Sequence, residues 1–267
     1  MRRLKKEVVV TGLVAVIAVC FGYPAISSFV NSSHDAKTIQ GYASATSTIS
    51  AEQTERILQE ADEYNQHLLT IDDPLSSKES LEGYSDCLNV QGDMMGVLEI
   101  PVIKLKLPIY HGTTSNSLEK GIGHMAGSSL PCGGDSTHAV LSAHNGMSDR
   151  NGFTDLELLK EGDTFKITVL DRTLTYQVDQ IKTVLPDETE NLEVVEGEDL
   201  VTLLTCTPYG INTHRLLVRG HRIENIEEPD YVDCFRLNTK EKMIIGTLAV
   251  SAVIVAVRLV SRRKVAH

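Results

Sequence analysis

The sequence predicts a mainly β domain, a closed or nearly closed barrel of eight strands with short helices, between two apolar terminal segments. Three observations predict this architecture. Short alternating segments with brief connections begin at Met94, the residues before them have a helical period, and charge-free runs stand near both ends. The chain has 267 residues and 42% hydrophobic content, which is enough for one packed core.

Eight segments between residues 94 and 225 have the composition and period of strands. They are MGVLEI, IKLKLPIY, GIGHM, THAVLSAH, TFKITVL, TLTYQVDQIKTVL, DLVTLLTC and HRLLVRGHRI, with a helical turn at SLEK and a short helix at FTDLELLKEG. The two-residue connection Asp171-Arg172 is typical of a β-hairpin. Because the strands follow one another with short connections, a barrel is favoured over a sandwich.

The leader before the barrel, residues 31–93, is predicted to be one helix followed by a long loop. Ser50 and Gln53 have the spacing of a capping box at a helix N-terminus. Apolar residues then recur at steps of three and four: Ile57, Leu58, Ala61, Tyr64 and Leu68. We expect this stripe to dock on the barrel. Asp72-Asp73-Pro74 ends the helix, and the polar loop over 70–93 has the length of a lid, a binding segment or a disordered segment.

Two apolar runs predict a membrane-anchored protein. Residues 8–30 carry no charge over 23 positions, which is enough to cross a hydrocarbon core of ~30 Å, and the basic flank 1–7 would stay in the cytoplasm. Residues 243–260 are predicted to form a second transmembrane helix, followed by a basic cytoplasmic tail, 261–267. A cleaved signal peptide is the alternative for the first run, and a buried terminal helix is the alternative for the second. If both runs span the membrane, the leader, the barrel and a linker over 226–242 are extracytoplasmic.

Charge and cysteine usage narrow the class of function. Residues 31–240 hold 34 acidic and 16 basic side chains, so this body repels phosphate backbones and nucleic-acid binding is excluded. The cysteines show no CxxC motif and no Cys/His spacing typical of zinc, so no metal or other cofactor is predicted. Four of the five lie outside the first apolar run, where an oxidising compartment permits disulfides: Cys87, Cys132, Cys206 and Cys234. A domain of this size does not need disulfides, so we expect Cys87, Cys132 and Cys234 to be small apolar residues or incidental thiols.

The strongest chemical signal is VTLLTCTPYGINTHRLLVRGHR. Cys206 ends an apolar strand that Thr207-Pro208-Tyr209-Gly210 cannot continue. If the two strands form a hairpin across residues 207–213, Cys206 and Arg215 reach the same rim. A cation there stabilises a thiolate, and its N–H groups can face an oxyanion. Taken singly, Cys206 also fits a buried core cysteine and Arg215 a solvated strand charge.

A thiol nucleophile needs a proton partner, because a free cysteine with a pKa of ~8.5 is mostly protonated at neutral pH. His144 ends the strand THAVLSAH and opens into the loop 145–151, a place where catalytic groups are commonly held on a rigid scaffold. A strand-capping surface histidine is the alternative. A papain-like hydrolase is disfavoured, since Cys206 follows His144 in the sequence and no helix starts at the cysteine.

These segments resemble the class C sortases, the pilin-polymerising transpeptidases of Gram-positive bacteria. The resemblance runs from about Met94 to Arg222 and rests on HAVLSAHNG, TLLTCTPYGINTHRLLVRGHR, EIPVIKLKLPIYHGT and GIGHMAGSSLPCGG. It implies a sortase-type catalytic barrel over 94–225, with Cys206 as the nucleophile that attacks the Thr–Gly bond of an LPXTG-like sorting signal. It further implies His144 as general acid/base and Arg215 as the group that orients the substrate and stabilises the oxyanion.

The resemblance also implies the partners and a lid. The donors are pilins or surface proteins with a sorting signal, and an amine, usually a pilin lysine, resolves the thioacyl intermediate without a cofactor. The family's lid places an Asp-Pro-aromatic segment over the active site. Asp73-Pro74-Leu75 is the nearest match, with Asp73 placed to approach the arginine and Leu75 where an aromatic ring is usual.

Two other functions are open at this point. A housekeeping sortase, which attaches surface proteins to a cell-wall precursor, has the same catalytic residues. The long leader with its Asp-Pro segment and the second apolar run favour polymerisation over that function. A non-catalytic, membrane-tethered binding barrel is an alternative of a different class, and it predicts that Cys206→Ala leaves function intact.

Overall fold

The computed structural model describes residues 33–146 and 152–225, and Gly246 alone beyond them. The predicted membrane segments 8–30 and 243–260 lie outside these residues apart from Gly246, and the linker 226–242 lies outside them too. No helix within the described part is long and apolar enough to span a membrane.

The eight predicted strands form a closed barrel. They are β1 (Met94–Ile100), β2 (Leu105–His111), β3 (Ile122–His124), β4 (Thr137–Ser142), β5 (Thr164–Val169), β6 (Arg172–Val184), β7 (Asp199–Thr207) and β8 (His214–Ile223). The order around the barrel is β1-β2-β3-β4-β7-β8-β6-β5. The pairs β2–β3 and β4–β7 are parallel, and the remaining pairs are antiparallel. Closure pairs each strand on both sides, so the barrel has no open edge.

Alternating side chains build the barrel interior. In β5 every second residue is fully buried, and the residues between them are partly exposed, which is the pattern expected when one face of a strand lines a core. Phe165 of β5 stacks on Tyr176 of β6 with 5.5 Å between ring centroids. Gly220 of β8 permits this packing, because a Cβ at that position would lie 2.7 Å from the Phe165 ring.

Two local features differ from the sequence prediction. Val169 pairs with Arg172, so the β5–β6 hairpin turns through Leu170 and Asp171, one residue earlier than expected. The predicted short helix at FTDLELLKEG is a single 3₁₀ turn, Leu156–Leu158. Its buried side chains, Phe153, Leu156 and Leu159, are spaced by three residues, which matches the 3₁₀ period and not the α-helical one.

Three α-helices accompany the barrel within residues 33–146 and 152–225. Residues 33–46 are helical (α1), α2 is Ala51–Leu68 and α3 is Ser115–Lys120. The predicted capping box is present at the start of α2, where Ser50 accepts from the Gln53 N–H and the Gln53 side chain accepts from the Ser50 N–H. The predicted apolar stripe of α2 is buried in the same cluster as the barrel core, apart from its partly buried first residue, Ile57. The leader helix therefore docks on the barrel.

A buried amide fixes α2 to the segment before β4. Asn65 is 2% exposed. Its Oδ1 accepts from the Leu130 N–H at 2.7 Å, and its Nδ2 donates to the Leu130 carbonyl at 3.3 Å. The side chain thus satisfies both backbone groups of one residue, which a buried backbone requires.

We expect Asn65→Ala to lower the free energy of unfolding by about 2–3 kcal/mol, because it leaves a buried N–H and a buried carbonyl without partners. Urea denaturation measures this loss. The control is Gln66→Ala, which removes the exposed neighbouring amide on the same helix. Equal losses for the two variants would contradict the role of Asn65.

Candidate active site

Adjacent strands bring the predicted catalytic residues to one rim of the barrel. Cys206, the last residue but one of β7, pairs with Arg215 of β8, and Arg215 also pairs with Val184 at the end of β6. Ser142 of β4 pairs with Leu204 of the parallel strand β7.

Beyond the end of β4, the Ala143 N–H donates to the Leu204 carbonyl at 3.2 Å, and the Asn145 side chain donates to the Cys206 carbonyl at 2.8 Å. His144, between these two residues, therefore lies beside the end of β7. The nucleophile, imidazole and guanidinium candidates, distant in the sequence, thus share one row across the rim.

Hydrogen bonds hold the backbone around His144. The Thr205 hydroxyl donates to the Ala143 carbonyl at 2.7 Å, and the Phe153 N–H donates to the His144 carbonyl at 2.9 Å. Gly152 comes so close that a Cβ there would lie 2.2 Å from the His144 oxygen. The backbone at His144 is therefore held on one side by β7 and on the other side by Gly152 and Phe153.

Asn145 joins the histidine segment to the strand of Cys206. Its Nδ2 donates to the Cys206 carbonyl at 2.8 Å, while its Oδ1 is buried without a hydrogen-bond partner among the residues that the structure describes. The next residue, Gly146, has φ +83, and a Cβ there would lie 2.6 Å from the Tyr209 ring. Asn145 is not among the residues that the sequence predicts to be functional. Its only signal is its place directly after His144 at a strand end.

Arg215 is half-buried and bonded to its own hairpin. Its Nη1 donates to the carbonyls of Asn212 and His214 at 3.3 and 3.1 Å. No carboxylate of a described residue lies within 4.0 Å of its guanidinium. The side chain is therefore oriented by backbone carbonyls, and its cationic charge is not neutralised by an ion pair in the described part of the chain.

Leu75 of the predicted lid packs on the strand face that carries Cys206 and Arg215. Leu204 and Leu217 lie two residues from these side chains along β7 and β8, so they point to the same face. Leu75 packs against an apolar cluster, the leucine seat, which consists of Val140, Val184, Leu192, Leu204 and Leu217.

The backbone of the lid lies against Gly127 in the loop before β4. Gly127 has φ +88, and a Cβ there would lie 2.2 Å from the Pro74 carbonyl oxygen. Asp73 is exposed, and its carbonyl accepts the N–H groups of the next turn, at Ser76 and Ser77, both at 3.1 Å. Asp73 and Arg215, both within the described ranges, form no ion pair, so apolar packing and close backbone contact hold the lid in this structure.

Cys132 occupies a different environment at the opposite rim, where β7 begins. It is 4% exposed, and its thiol donates to the Asp62 carboxylate at 3.5 Å. Burial, and then the charge of Asp62, raise the pKa of the Cys132 thiol. A cavity of about 460 Å³ at this rim is lined in part by Cys132, Asp199 and Arg222. Since a nucleophile must reach the thiolate form, Cys132 is unsuited to that role. Cys87, Cys132 and Cys206 are all free thiols.

Two other histidines near the barrel are structural. The His124 Nδ1 lies 2.9 Å from the Tyr84 hydroxyl, and its Nε2 donates to the Ser129 carbonyl at 2.8 Å. Burial lowers the pKa of His124 to about 4, so the ring is neutral at physiological pH. Burial also lowers the pKa of His138, whose ring contacts the Glu193 carbonyl and the Thr202 hydroxyl, both at 2.7 Å.

We expect the free energy of unfolding to fall as the pH is lowered from about 6.5 to about 4. The unfolded chain takes up the His124 proton near the upper value and the folded chain only near the lower one, so protons favour the unfolded state between them. The gap between these two pKa values lowers the free energy of unfolding by roughly 3 kcal/mol, and the full loss is reached once the pH is below about 4. Urea denaturation across this pH window measures it. His124→Gln should reduce the slope and His67→Gln, at an exposed position, should not; equal slopes in all three proteins would contradict the assignment.

The arrangement on the active rim suits acyl transfer through a thioester. A thiol can attack a carbonyl, an imidazole can carry the proton, and a guanidinium can stabilise the oxyanion. Among the described residues no group of three His, Cys, Asp or Glu side chains is placed to hold a metal ion. Fold and site together define a cysteine-dependent acyl-transfer enzyme built on a closed β-barrel.

Comparison with known proteins identifies the family. The Sortase domain model matches residues 98–223. Sortase D of Bacillus subtilis is 31% identical over 135 residues, which cover 49% of this chain and 65% of that protein. Sortase A of Streptococcus agalactiae is 31% identical over 117 residues, which cover 43% and 47%. The chain thus spans less than two thirds of the length of these curated relatives.

Solved structures match over a longer range. Sortase C1 of Streptococcus agalactiae is 46% identical, with a TM-score of 0.67, and the match covers 71% of this chain and 100% of that one. Sortase C of Clostridium perfringens, solved with the C-terminal cell wall sorting motif, is 44% identical, with a TM-score of 0.63 and coverage of 71% and 100%. The chain belongs to the sortase family of cysteine transpeptidases, and these structural relatives are of the sortase C kind.

Proposed function

We propose that this protein is a pilin-polymerising sortase, anchored in the cell membrane with its barrel outside. In this proposal it cleaves an LPXTG-like sorting signal between Thr and Gly and transfers the new acyl group to a pilin lysine. The row formed by His144, Cys206 and Arg215 carries the proposal. Identity above 40% to sortase C structures supports the polymerising class, and one relative was solved with a sorting motif.

The chemistry takes two steps. The Cys206 sulfur attacks the threonine carbonyl carbon, the C–N bond to glycine breaks, and His144 gives a proton to the departing amine. Arg215 donates hydrogen bonds to the oxyanion that forms on the carbonyl oxygen. The acceptor amine then attacks the thioester, His144 takes up its proton, and the Cys206 thiolate leaves. One amide is replaced by another, so no external energy source is needed.

In this proposal the lid covers the site in the resting enzyme. Leu75 fills the leucine seat next to Cys206, so a donor peptide that lies along β7 must displace it. Pro74 contacts Gly127 closely enough that the lid and the loop before β4 fit each other only without a side chain at that glycine. Asp73, Pro74 and Leu75 thus control access to the site.

Opening the lid should increase the reactivity of Cys206. Gly127→Ala places a Cβ 2.2 Å from the Pro74 oxygen and should displace the lid, as should deletion of residues 71–76. We expect alkylation of Cys206 by iodoacetamide to accelerate about tenfold, which corresponds to a shift of ~1.4 kcal/mol in the lid equilibrium.

Gly162→Ala is the matched control for the lid variant. Gly162 has φ +91, close to the φ +88 of Gly127, but a Cβ there meets no atom within 4 Å. Both substitutions therefore introduce similar backbone strain, and only one introduces a clash with the lid. Unchanged labelling in both Gly127→Ala and the deletion variant would reject occlusion by the lid.

Intact-mass analysis tests the proposed function. The purified full-length chain is mixed with an LPXTG-type peptide, and we expect a mass increase equal to the acyl fragment, located on Cys206 by peptide mapping. Addition of a lysine peptide should discharge this adduct and form a new amide. A chain that forms no adduct with any such peptide would favour the non-catalytic binding barrel. Ladders of linked pilin indicate polymerisation, and single additions to a cell-wall precursor indicate a housekeeping sortase.

A further inference from the structure

Within residues 33–146 and 152–225, one buried side-chain atom capable of hydrogen bonding has no partner, and it lies next to the proposed general base. The atom is Oδ1 of Asn145, the residue that follows His144. A buried acceptor without a donor destabilises the folded state, so folded proteins keep few of them and each one needs an explanation. The position of this one, at the active rim, points to the reaction.

The buried amide of Asn65 shows how an asparagine stabilises this fold. Its Oδ1 and its Nδ2 are both bonded to the backbone of Leu130. Asn145 differs, because only its Nδ2 is bonded in the described part of the chain. An apolar side chain of similar size would remove an unpaired acceptor together with one hydrogen bond, and these two changes have opposite effects on the free energy of unfolding. Asn145 therefore adds little to stability.

The bond that Asn145 does form is a tie between two strands at the reacting groups. The ladder between β4 and β7 ends with the pair Ser142 and Leu204. After that pair, the Ala143 N–H still donates to the Leu204 carbonyl, and Asn145 Nδ2 donates to the Cys206 carbonyl at 2.8 Å. The side chain of Asn145 thus continues the attachment to β7 where regular backbone pairing stops.

This tie sets the distance between the imidazole and the sulfur. His144 lies between Ala143 and Asn145, and the Asn145 bond ends on the backbone of Cys206 itself. On its other side, Cys206 is paired with Arg215 of β8. Loss of the Asn145 bond therefore loosens Cys206 from the histidine segment and leaves its pairing with the arginine strand in place.

We propose that Asn145 is a positioning residue, which holds the Cys206 backbone at the distance from His144 that proton transfer to the leaving amine requires. This inference rests on the proposed function and adds to it a residue that acts through the two reacting groups. A displacement of about 1 Å can lower a rate by ~100-fold. Cleavage of the C–N bond is the sensitive step, because the amine departs only with the proton that His144 gives it.

The test varies the leaving group. Full-length enzyme is acylated in single turnovers by an LPXTG-type peptide, or by the same peptide with a thioester in place of the Thr–Gly amide, and the adduct is counted by intact mass. A thiolate leaves without a proton, whereas an amine does not. We expect Asn145→Leu to slow acylation by the amide peptide about 100-fold and acylation by the thioester less than about threefold, with KM within about twofold.

Asn145→Asp is the second variant, because it keeps the shape and the Oδ1 acceptor and removes the N–H donor. We expect it to show the same dependence on the leaving group as Asn145→Leu. Asn65→Leu is the matched control, since it replaces a buried asparagine whose two polar atoms are both paired. It should lower the urea midpoint and leave both acylation rates per folded molecule unchanged, whereas Asn145→Leu should retain the urea midpoint.

The contrary outcomes are distinct. Equal slowing of the amide and thioester peptides in Asn145→Leu would overturn the inference, because the bond would then serve the fold or the nucleophile in general. An unaltered amide rate in Asn145→Leu or in Asn145→Asp would overturn it as well, since the donated bond would not matter for the reaction. Failure of the unaltered enzyme to become acylated by the amide peptide would reject the proposed function instead.

Discussion

Cys206→Ala is expected to eliminate the acyl adduct and to lower kcat/KM by at least ~1,000-fold, because the covalent route has no other thiol at the rim among the described residues. The measurement combines intact mass with the rate of peptide transfer to a lysine peptide. The fold should be retained, since Cys206 is only partly buried and its carbonyl, not its sulfur, accepts the bond from Asn145.

The matched control for this variant is Cys87→Ala. Cys87 is also partly buried and free, but burial raises the pKa of its thiol and it lies in the leader, away from the rim. We expect its kcat/KM to match that of the unaltered enzyme. Persistent adduct formation in Cys206→Ala, or its loss in Cys87→Ala, would assign the nucleophile elsewhere.

The second large effect concerns Arg215. Arg215→Lys keeps the positive charge but loses the planar group that bonds the Asn212 and His214 carbonyls, so the cation is no longer held in the orientation that the proposed oxyanion contact requires. We expect kcat to fall by about 100- to 1,000-fold, with a change of less than ~1 kcal/mol in the free energy of unfolding. Single-turnover acylation rates and urea denaturation give the two quantities.

Arg219→Lys provides the comparison on the same strand face. Arg219 forms a bidentate pair with Asp179 at 3.1 and 2.8 Å, so its replacement should affect stability and leave kcat nearly unchanged. The two variants should therefore separate catalysis from folding. Similar kcat values for Arg215→Lys and Arg219→Lys would show that the row across the rim is not the catalytic site.

The sequence was sufficient for the barrel and for the pairing of two functional side chains. Strands with one buried face have a period of two, and the short connection over residues 207–213 predicts the hairpin in which Cys206 lies beside Arg215. The capping box at Ser50 and Gln53 was also predictable, because it is a local pattern of fixed spacing.

Other features depend on contacts between distant segments, which no local pattern encodes. The bond from Asn145 to the Cys206 carbonyl spans 61 residues, and the approach of Gly127 to Pro74 joins the leader to the barrel. The leucine seat combines β4, β6, β7, β8 and the turn at Leu192. The sequence showed that Leu75 cannot stack as an aromatic ring would, but it could not show where that side chain packs instead.

The parallel pairing of β4 with β7 has a consequence for biosynthesis. The proposed general base, His144, follows β4, and the proposed nucleophile, Cys206, lies on β7, so all of β5 and β6 separates them in the sequence. Arg215 follows on β8, the last strand of the barrel. A nascent polypeptide therefore carries its reactive sulfur without a complete set of partners until translation has passed Arg215 and the barrel has closed. In the proposed function, an unfinished molecule is therefore inactive until the hairpin of β7 and β8 has formed.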